Sequence, residues 1–396
     1  MQAATKVRTE DVGTASRDIA RLINGACFYA SGGGGSIVIA RQMAQGLSSL
    51  PPRIATQDVP DAALTAIIAD IGSPDAMMQG AGQTAPVNAF DDLAAYFKKA
   101  YGSDLPYVVP VEMGAVSTLI PFLVASLRPG ITVVDGDPCG RAVPELSMTL
   151  YAMANLPVAP VTLSSDTDDK SGQGRHSACL FWAEDVHDAE ECARTAIGLP
   201  VFNQIAGLGC YAVPGRALRA ASPKAIIGGT VSRAIATGDL LERYKDPVSF
   251  QYQLGWLLQD KTYLLVSGTI TEKKEVSGGF DVGQVRITAD DGARWVVSYM
   301  NENLYIQNAT EGKTHGMGPD LICYRTEDGR PFSNADIDTK EVPIGTRVTV
   351  FGVKCDEALR CDAMVAEFGA VIDTMFKKFE IPRPDPRYVP IERLNG

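Results

Sequence analysis

The most chemically suggestive segment of the sequence is VVDGDPCGRAVPELSMT, residues 133–149. It places Asp135, Asp137, Arg141 and Glu145 within eleven residues. Carboxylates beside an arginine can take different pKa values, as general acid–base catalysis requires, and they can also hold a metal ion or a polar substrate. A structural interpretation fits the spacing equally well: Arg141 pairs with Glu145 one helical turn away, and Asp137 caps that helix.

The second candidate is a run of four glycines, Gly32, Gly33, Gly34 and Gly35. A phosphate-binding loop or a dinucleotide fingerprint follows a strand and carries a lysine or a G-x-G-x-x-G spacing, whereas a helical pattern precedes these glycines. A bound nucleotide is therefore disfavoured. Two interpretations stay open: the glycines end one helix before the next begins at Ser36, or their backbone N–H groups meet an anionic or carbonyl-bearing ligand.

Polar residues also follow the short β-branched runs that predict buried strands. Gly72 and Ser73 come after TAIIADI, Glu112 comes after YVVPV, and Asp135 and Asp137 come after ITVV. In α/β sheets, ligands bind beyond the carboxyl ends of the strands. We therefore expect Glu112 and the two aspartates to contribute to one crevice.

Metal and thiol chemistry have weaker support. The eight cysteines are scattered and form no C-x-x-C pair, and there are three histidines. A divalent metal held by the carboxylates stays open, and the cofactor is otherwise undetermined. Cys139 could act as a nucleophile, but no histidine adjoins it, and such cysteines are more often small buried hydrophobic residues.

The elements that must position these residues follow from the hydrophobic pattern. Up to about residue 165, helical stripes alternate with short apolar runs, which predicts an α/β domain with a mostly parallel sheet and flanking helices. From about Tyr263, apolar and polar residues alternate around turns, which is typical of antiparallel strands. We therefore predict an N-terminal α/β domain at 1–165 and a C-terminal domain at 166–396 with a β-rich subdomain at about 262–370. The polar passage 164–177 marks the linker.

Charge and composition exclude several function classes. The formal net charge is −11 and no Lys/Arg run occurs, so a nucleic-acid-binding surface is not expected. The N-terminus lacks the apolar core of a secretion signal, and the longest apolar passage, STLIPFLVASL, is too short to span a bilayer. We expect a cytoplasmic protein without membrane contacts that acts on a small molecule and could form a homo-oligomer.

Three motifs in combination point to a known family. They are GGGG at 32–35, D-x-D-x-x-G-R-A-x-P-E-L from Asp135, and N-E-N-L from Asn301. Together with flanking segments from residue 25 to about 370, they resemble the S-methyl thiohydantoin desulfurase family, often encoded near hydantoin-utilisation genes. The family usually reads LGTGGGGDP where this chain has YASGGGGSI, so Ser31 and Ser36 replace a Thr and an Asp.

The resemblance implies a two-domain protein that hydrolyses an S-methylated thiohydantoin, a small heterocycle, to methanethiol and a hydantoin. On this basis we assign Glu112, Asp135, Asp137 and Arg141 to catalysis, and the four glycines with Glu145 to substrate binding. A metal-bound water is an alternative activator. Two other functions stay open: a non-catalytic regulatory or assembly subunit of a hydantoin-metabolising system, and an amidohydrolase that opens the ring.

Overall fold

A computed structural model describes residues 9–72, 84–167, 174–219, 222–276 and 281–396 of the chain. Within these residues the chain forms two β-sheets with helices packed around them. Ser73 and part of the predicted linker lie outside the described residues. No helix in the described part is long and apolar enough to cross a membrane.

The first sheet contains eight of the described strands. They are β1 (Arg53–Ala55), β2 (Leu64–Gly72), β3 (Tyr107–Val109), β4 (Thr132–Asp137), β5 (Val161–Ser164), β6 (Ala178–Phe181), β7 (Ile205–Pro214) and β8 (Ile227–Gly228). Their order is β1-β4-β3-β2-β7-β5-β6, with β8 beside β4. The pairs among β1 to β4 are parallel, and those of β5 to β8 are antiparallel. The predicted α/β sheet is confirmed, and antiparallel strands extend its parallel part.

The second sheet is antiparallel throughout its described strands. They are β9 (Thr262–Val276), β10 (Val282–Ala289), β11 (Arg294–Met300), β12 (Glu302–Asn308), β13 (Lys313–Met317), β14 (Leu321–Thr326) and β15 (Arg347–Val353), in the order β13-β12-β11-β10-β9-β15-β14. In β10, Val285 and Ile287 are buried whereas Arg286 and Thr288 are exposed. This alternation produced the sequence pattern, and the predicted antiparallel C-terminal part is confirmed.

Helices cover the first sheet and connect it to the second. They are α1 (Thr9–Tyr29), α2 (Ile37–Met43), α3 (Ala85–Tyr101), α4 (Ile120–Leu127), α5 (Leu150–Met153), α6 (Val186–Ile197), α7 (Gly215–Leu218), α8 (Thr230–Arg243), α9 (Pro247–Leu258), α10 (Asp362–Lys378) and α11 (Ile391–Leu394), with short 3₁₀ helices at Ala44–Gly46, Thr56–Asp58, Leu146–Met148, Asn334–Asp336 and Glu357–Arg360. α1 packs along α8. Near the end of α1, the Phe28 ring lies 5.4 Å from that of Phe250 in α9 and 6.0 Å from that of Phe351 in β15. These rings join α1 to the second sheet.

The first sheet contains strands from both sides of residue 165, the domain boundary that the sequence predicts. β6 and β7 lie beyond it yet belong to the first sheet, and β7 pairs directly with β2. β5 and β6 pair with each other across the polar passage. That passage therefore connects two neighbouring strands of one sheet.

Candidate active site

We call the segment from Ser31 to Ser36 the glycine corner. A cavity lies where this corner, the carboxyl ends of β2 and β3, and the turn between β11 and β12 meet. Its volume is ≈ 210 Å³, which is below the ~300 Å³ at which pockets for drug-sized ligands begin. Its charged and polar lining includes Asp70, Glu112, Ser117, Arg194, Glu275, Asp281, Asn301, Glu302, Ser333 and Asn334. The cavity suits a small polar ligand.

The glycine corner ends α1 and begins α2, as one interpretation of the sequence predicts. Gly34 has a φ of 67°, in the left-handed region that favours glycine. The Ser36 hydroxyl caps α2 by accepting a hydrogen bond from the Val38 N–H, and it donates one of 2.6 Å to the buried carboxylate of Asp336. All four glycines also line the cavity. The same segment therefore breaks the helix and forms part of the cavity wall.

Side chains at the glycine corner would collide with neighbouring elements. A Cβ atom on Gly33 would lie 2.1 Å from Oε1 of Glu302, and one on Gly34 would lie 2.3 Å from Cα of Gly114. Both distances are far below van der Waals contact. Glycine is therefore required here because a carboxyl group of the second sheet and the loop after β3 approach the backbone closely.

Backbone hydrogen bonds hold the glycine corner against the second sheet. The Asn303 N–H donates to the Ser31 carbonyl at 2.6 Å, and the Asn334 N–H donates to the Gly32 carbonyl at 2.7 Å. Because Glu302 immediately precedes Asn303, these bonds also hold the backbone of Glu302 beside the corner.

Glu112 follows β3 and is buried. Its carboxylate accepts hydrogen bonds from the Ser117 hydroxyl and the Val143 N–H, both at 2.8 Å. Burial raises the pKa of Glu112 to about 7, although these two bonds and the charge of Arg141 oppose the shift. The group is therefore divided between its charged and neutral forms near neutral pH, which suits a general base.

Glu302 begins β12 and brings a second buried carboxyl group to the cavity. Its Oε2 atom has no hydrogen-bond partner among the described residues. Burial, followed by the charge of Glu112, raises the pKa of Glu302 well above its usual range, while Arg141 lowers it. Carboxyl groups that interact in this way titrate as a pair, so one keeps its proton while the other is ionised. Such a pair supplies an acid and a base.

Asp135 and Asp137, at the end of β4, do not line the cavity. Asp135 accepts hydrogen bonds from the Ser232 hydroxyl and, at 3.0 Å, from the Ser232 N–H, in the first turn of α8. Asp137 is buried, and its Oδ1 accepts from the Cys139 N–H at 2.8 Å and the Gly140 N–H at 2.6 Å. The structure therefore uses the Asp135 carboxylate to cap the first turn of α8 and the Asp137 carboxylate to stabilise a local turn, and it brings neither to the glycine corner.

Arg141 and Glu145 also lie outside the cavity lining. Arg141 is fully buried. Its guanidinium group donates four hydrogen bonds to backbone carbonyls, those of Ala142, Pro319, Asp320 and Asn303. Arg141 thus ties the loop after β4 to the second sheet instead of pairing with Glu145. Glu145 is half-buried, and burial, followed by the charge of Glu190, raises its pKa.

The surroundings of Cys139 disfavour its role as a nucleophile. The Cys139 thiol is fully buried and donates to the Val111 carbonyl at 3.4 Å. Burial raises the pKa of this thiol well above its usual range, which disfavours the reactive thiolate. In the part of the chain that the structure describes, no group of three or more His, Cys, Asp or Glu residues could hold a metal ion.

Two family models match most of the chain. The S-Me-THD-like N-terminal domain matches residues 17–172, and the S-Me-THD-like C-terminal domain matches residues 183–371. The chain belongs to the S-Me-THD-like family. Its resemblance to the S-methyl thiohydantoin desulfurase family is thereby confirmed.

A solved structure resembles this S-Me-THD-like protein along nearly its whole length. It is the X-ray crystal structure of a protein from Chromobacterium violaceum, with 26% sequence identity and a TM-score of 0.80. The match covers 95% of this chain and 99% of that chain. A comparison with curated proteins finds no match.

Most of the polar cavity residues of this S-Me-THD-like protein escape selection from the sequence, and Glu302 and Asp70 are the two that matter most below. Glu302 lies in the N-E-N-L motif, and Asp70 lies in the apolar run of β2. The signals that could have identified them are an acidic residue between two asparagines before a strand and a lone acid inside a buried strand. A charge that interrupts a buried run is costly and needs a reason.

Proposed function

We propose that this protein hydrolyses a small S-methylated thiohydantoin, releasing methanethiol and leaving the hydantoin. The observation that carries the proposal is the pair of buried carboxyl groups, Glu112 and Glu302, that line one small cavity. Membership of the S-Me-THD-like family supports the substrate class. The cavity volume of ≈ 210 Å³ supports a ligand the size of a single ring.

The first step is the attack of water on the ring carbon that bears sulfur. Ionised Glu112 accepts a proton from the water as its oxygen bonds to that carbon. Neutral Glu302 donates its proton to the ring nitrogen that is doubly bonded to the carbon, so the addition product carries no separated charge. These roles follow from the pKa of about 7 for Glu112 and the still more strongly perturbed pKa of Glu302.

The second step is the release of the thiol. The carbon–sulfur bond breaks as the new hydroxyl group loses its proton to Glu302 and becomes a carbonyl. The departing sulfur takes the proton that Glu112 removed from water. One water is consumed, one hydantoin and one methanethiol form, and both carboxyl groups regain their starting protonation states.

The surroundings hold both carboxyl groups in place for these transfers. The bonds from Ser117 and Val143 orient Glu112. The backbone bond from Asn303 to the glycine corner places the backbone of Glu302 at the cavity. Fixed positions of this kind lower the entropic part of the barrier.

Methanethiol release tests the proposal. The purified protein is incubated with an S-methyl thiohydantoin, with and without added divalent metal, and the thiol is quantified with a chromogenic reagent while mass spectrometry identifies the hydantoin. We expect Glu112→Gln and Glu302→Gln each to lower kcat by ~100-fold or more. The matched control is Glu311→Gln, at an exposed carboxyl group in the turn before β13, which should leave kcat unchanged.

The products distinguish the alternatives. No thiol release by the folded wild-type protein under any of these conditions contradicts the desulfurase proposal and favours a regulatory or assembly role. A carbamoyl product without thiol identifies a ring-opening amidohydrolase instead.

A further inference from the structure

Asp70 is a buried carboxyl group that lines the cavity and that the proposed mechanism does not use. Neither of its carboxyl oxygens is accessible to solvent, and neither has a hydrogen-bond partner among the described residues. Buried polar groups in folded proteins are nearly always hydrogen-bonded. Two unsatisfied oxygens at a cavity wall therefore indicate that the missing partner is a ligand.

The strand register places Asp70 beside the proposed base. Ile67 of β2 pairs with Val109 of β3 in a parallel ladder. Asp70 and Glu112 each follow that pair by three residues, at the carboxyl ends of neighbouring strands. A ligand bound to Asp70 would therefore lie next to Glu112.

The surroundings of Asp70 favour its neutral form. Burial, followed by the charge of Asp166, raises the pKa of Asp70 well above its usual range. Among the described lining residues the basic one is Arg194, which forms an ion pair of 2.6 Å with Glu190. A neutral carboxylic acid presents one donor and one acceptor side by side. Its natural complement is a group with an adjacent acceptor and donor.

We propose that Asp70 is a substrate-binding residue that recognises the lactam edge of the ring, the adjacent N–H and C=O of a cyclic amide. The carbonyl oxygen of Asp70 accepts from the ring N–H, and its hydroxyl donates to the ring C=O. This inference rests on the proposed function and extends it by naming the group that orients the ring. The sulfur-bearing carbon then lies next to the bound N–H, and its other nitrogen is left for protonation by Glu302.

Calorimetric binding of hydantoin and of 1,3-dimethylhydantoin, which lacks both ring N–H groups, tests the inference without turnover. Asp70→Asn keeps one donor and one acceptor, so it should bind hydantoin within about threefold of the wild type. Asp70→Ala loses both bonds and should bind it at least ~10-fold more weakly. The wild type should bind 1,3-dimethylhydantoin at least ~10-fold more weakly than hydantoin, and Asp70→Ala should not discriminate between them.

Folding is checked by thermal melting, with Asp104→Ala, at an exposed carboxyl group, as the control for binding. Because the Asp70 side chain makes no hydrogen bond to any residue that the structure describes, neither variant removes a known one, and both should melt at or above the wild-type temperature.

Any one of three results would overturn the inference: the wild type does not bind hydantoin, Asp70→Ala binds it as well as the wild type does, or Asp70→Ala and Asp70→Asn lose equal affinity. Equal losses would indicate that Asp70 acts as an ionised carboxylate. Failure of the proposed function can be distinguished from failure of this inference. Asp70-dependent hydantoin binding without methanethiol release supports the inference and contradicts the desulfurase activity. Methanethiol release that is unaffected in Asp70→Ala supports the desulfurase activity and contradicts the inference.

Discussion

Replacement of Glu112 by glutamine should stabilise the protein by an amount that depends on pH. Burial raises the pKa of Glu112 from 4.5 to about 7. Between these values the folded protein keeps a proton that the unfolded chain releases, so the contribution of Glu112 to the free energy of unfolding falls as pH rises. Each pKa unit corresponds to ~1.4 kcal/mol, and the full shift therefore costs about 3 kcal/mol at pH ~8.

Glutamine removes the titration while keeping the local contacts. Its amide oxygen can accept from the Val143 N–H, and its amide nitrogen can donate to the Ser117 hydroxyl once that hydroxyl rotates. We therefore expect Glu112→Gln to match the wild type near pH ~4.5 and to exceed its free energy of unfolding by about 3 kcal/mol at pH ~8. Glu302 still titrates in the variant, so the pH dependence is reduced and not abolished.

Urea unfolding followed by tryptophan fluorescence at several pH values between ~4.5 and ~8 measures this difference. Glu311→Gln, at an exposed position, should give a profile parallel to that of the wild type. If the Glu112→Gln profile also runs parallel to the wild type across this range, then Glu112 has an ordinary pKa. Its assignment as a base that is partly neutral near pH ~7 would then fail.

Two further substitutions test the architecture around the pair. Gly33→Ala places a Cβ atom 2.1 Å from Glu302 Oε1. We therefore expect this variant to lose methanethiol release and to be destabilised by about 1–3 kcal/mol. The control Gly46→Ala, whose Cβ meets nothing within 4 Å, should preserve both activity and melting temperature. Arg141→Met removes the guanidinium donor from four buried carbonyls, of which that of Asn303 still accepts from the Ser31 hydroxyl. Urea unfolding should show a loss of at least ~3 kcal/mol, and full stability in this variant would contradict the structural role of the guanidinium group.

The sequence could predict the strands, the cap of α2 and Glu112 because each of them depends on residues nearby in the chain. The runs AIIADI, YVV and TVVD coincide with β2, β3 and β4, and Ser36 caps α2 as its position suggests. Glu112 could be selected because the carboxyl ends of parallel strands meet at one edge of a sheet. The same reasoning selected Asp135 and Asp137, but Asp135 instead accepts hydrogen bonds from Ser232 at the start of α8 and Asp137 accepts from backbone N–H groups in its own turn.

The rest of the site depends on which surfaces meet in the folded chain. Glu302 reaches the cavity because β12 docks against the glycine corner, and no local pattern encodes that docking. Arg141 illustrates the same limit. A buried guanidinium group can face either a ligand or backbone carbonyls, and only the positions of Pro319 and Asp320, far along the chain, decide that it faces carbonyls here.

The close approach at Gly33 also explains what the glycine run does. A Cβ atom on Gly33 would collide with the carboxyl group of Glu302, so the glycine leaves the space that this group occupies. Since Glu112 follows a strand of the first sheet and Glu302 begins a strand of the second, the proposed acid–base pair forms only where the two sheets meet. The bonds from Asn303 and Asn334 to the corner, which hold that contact, should matter as much for activity as the carboxyl groups themselves.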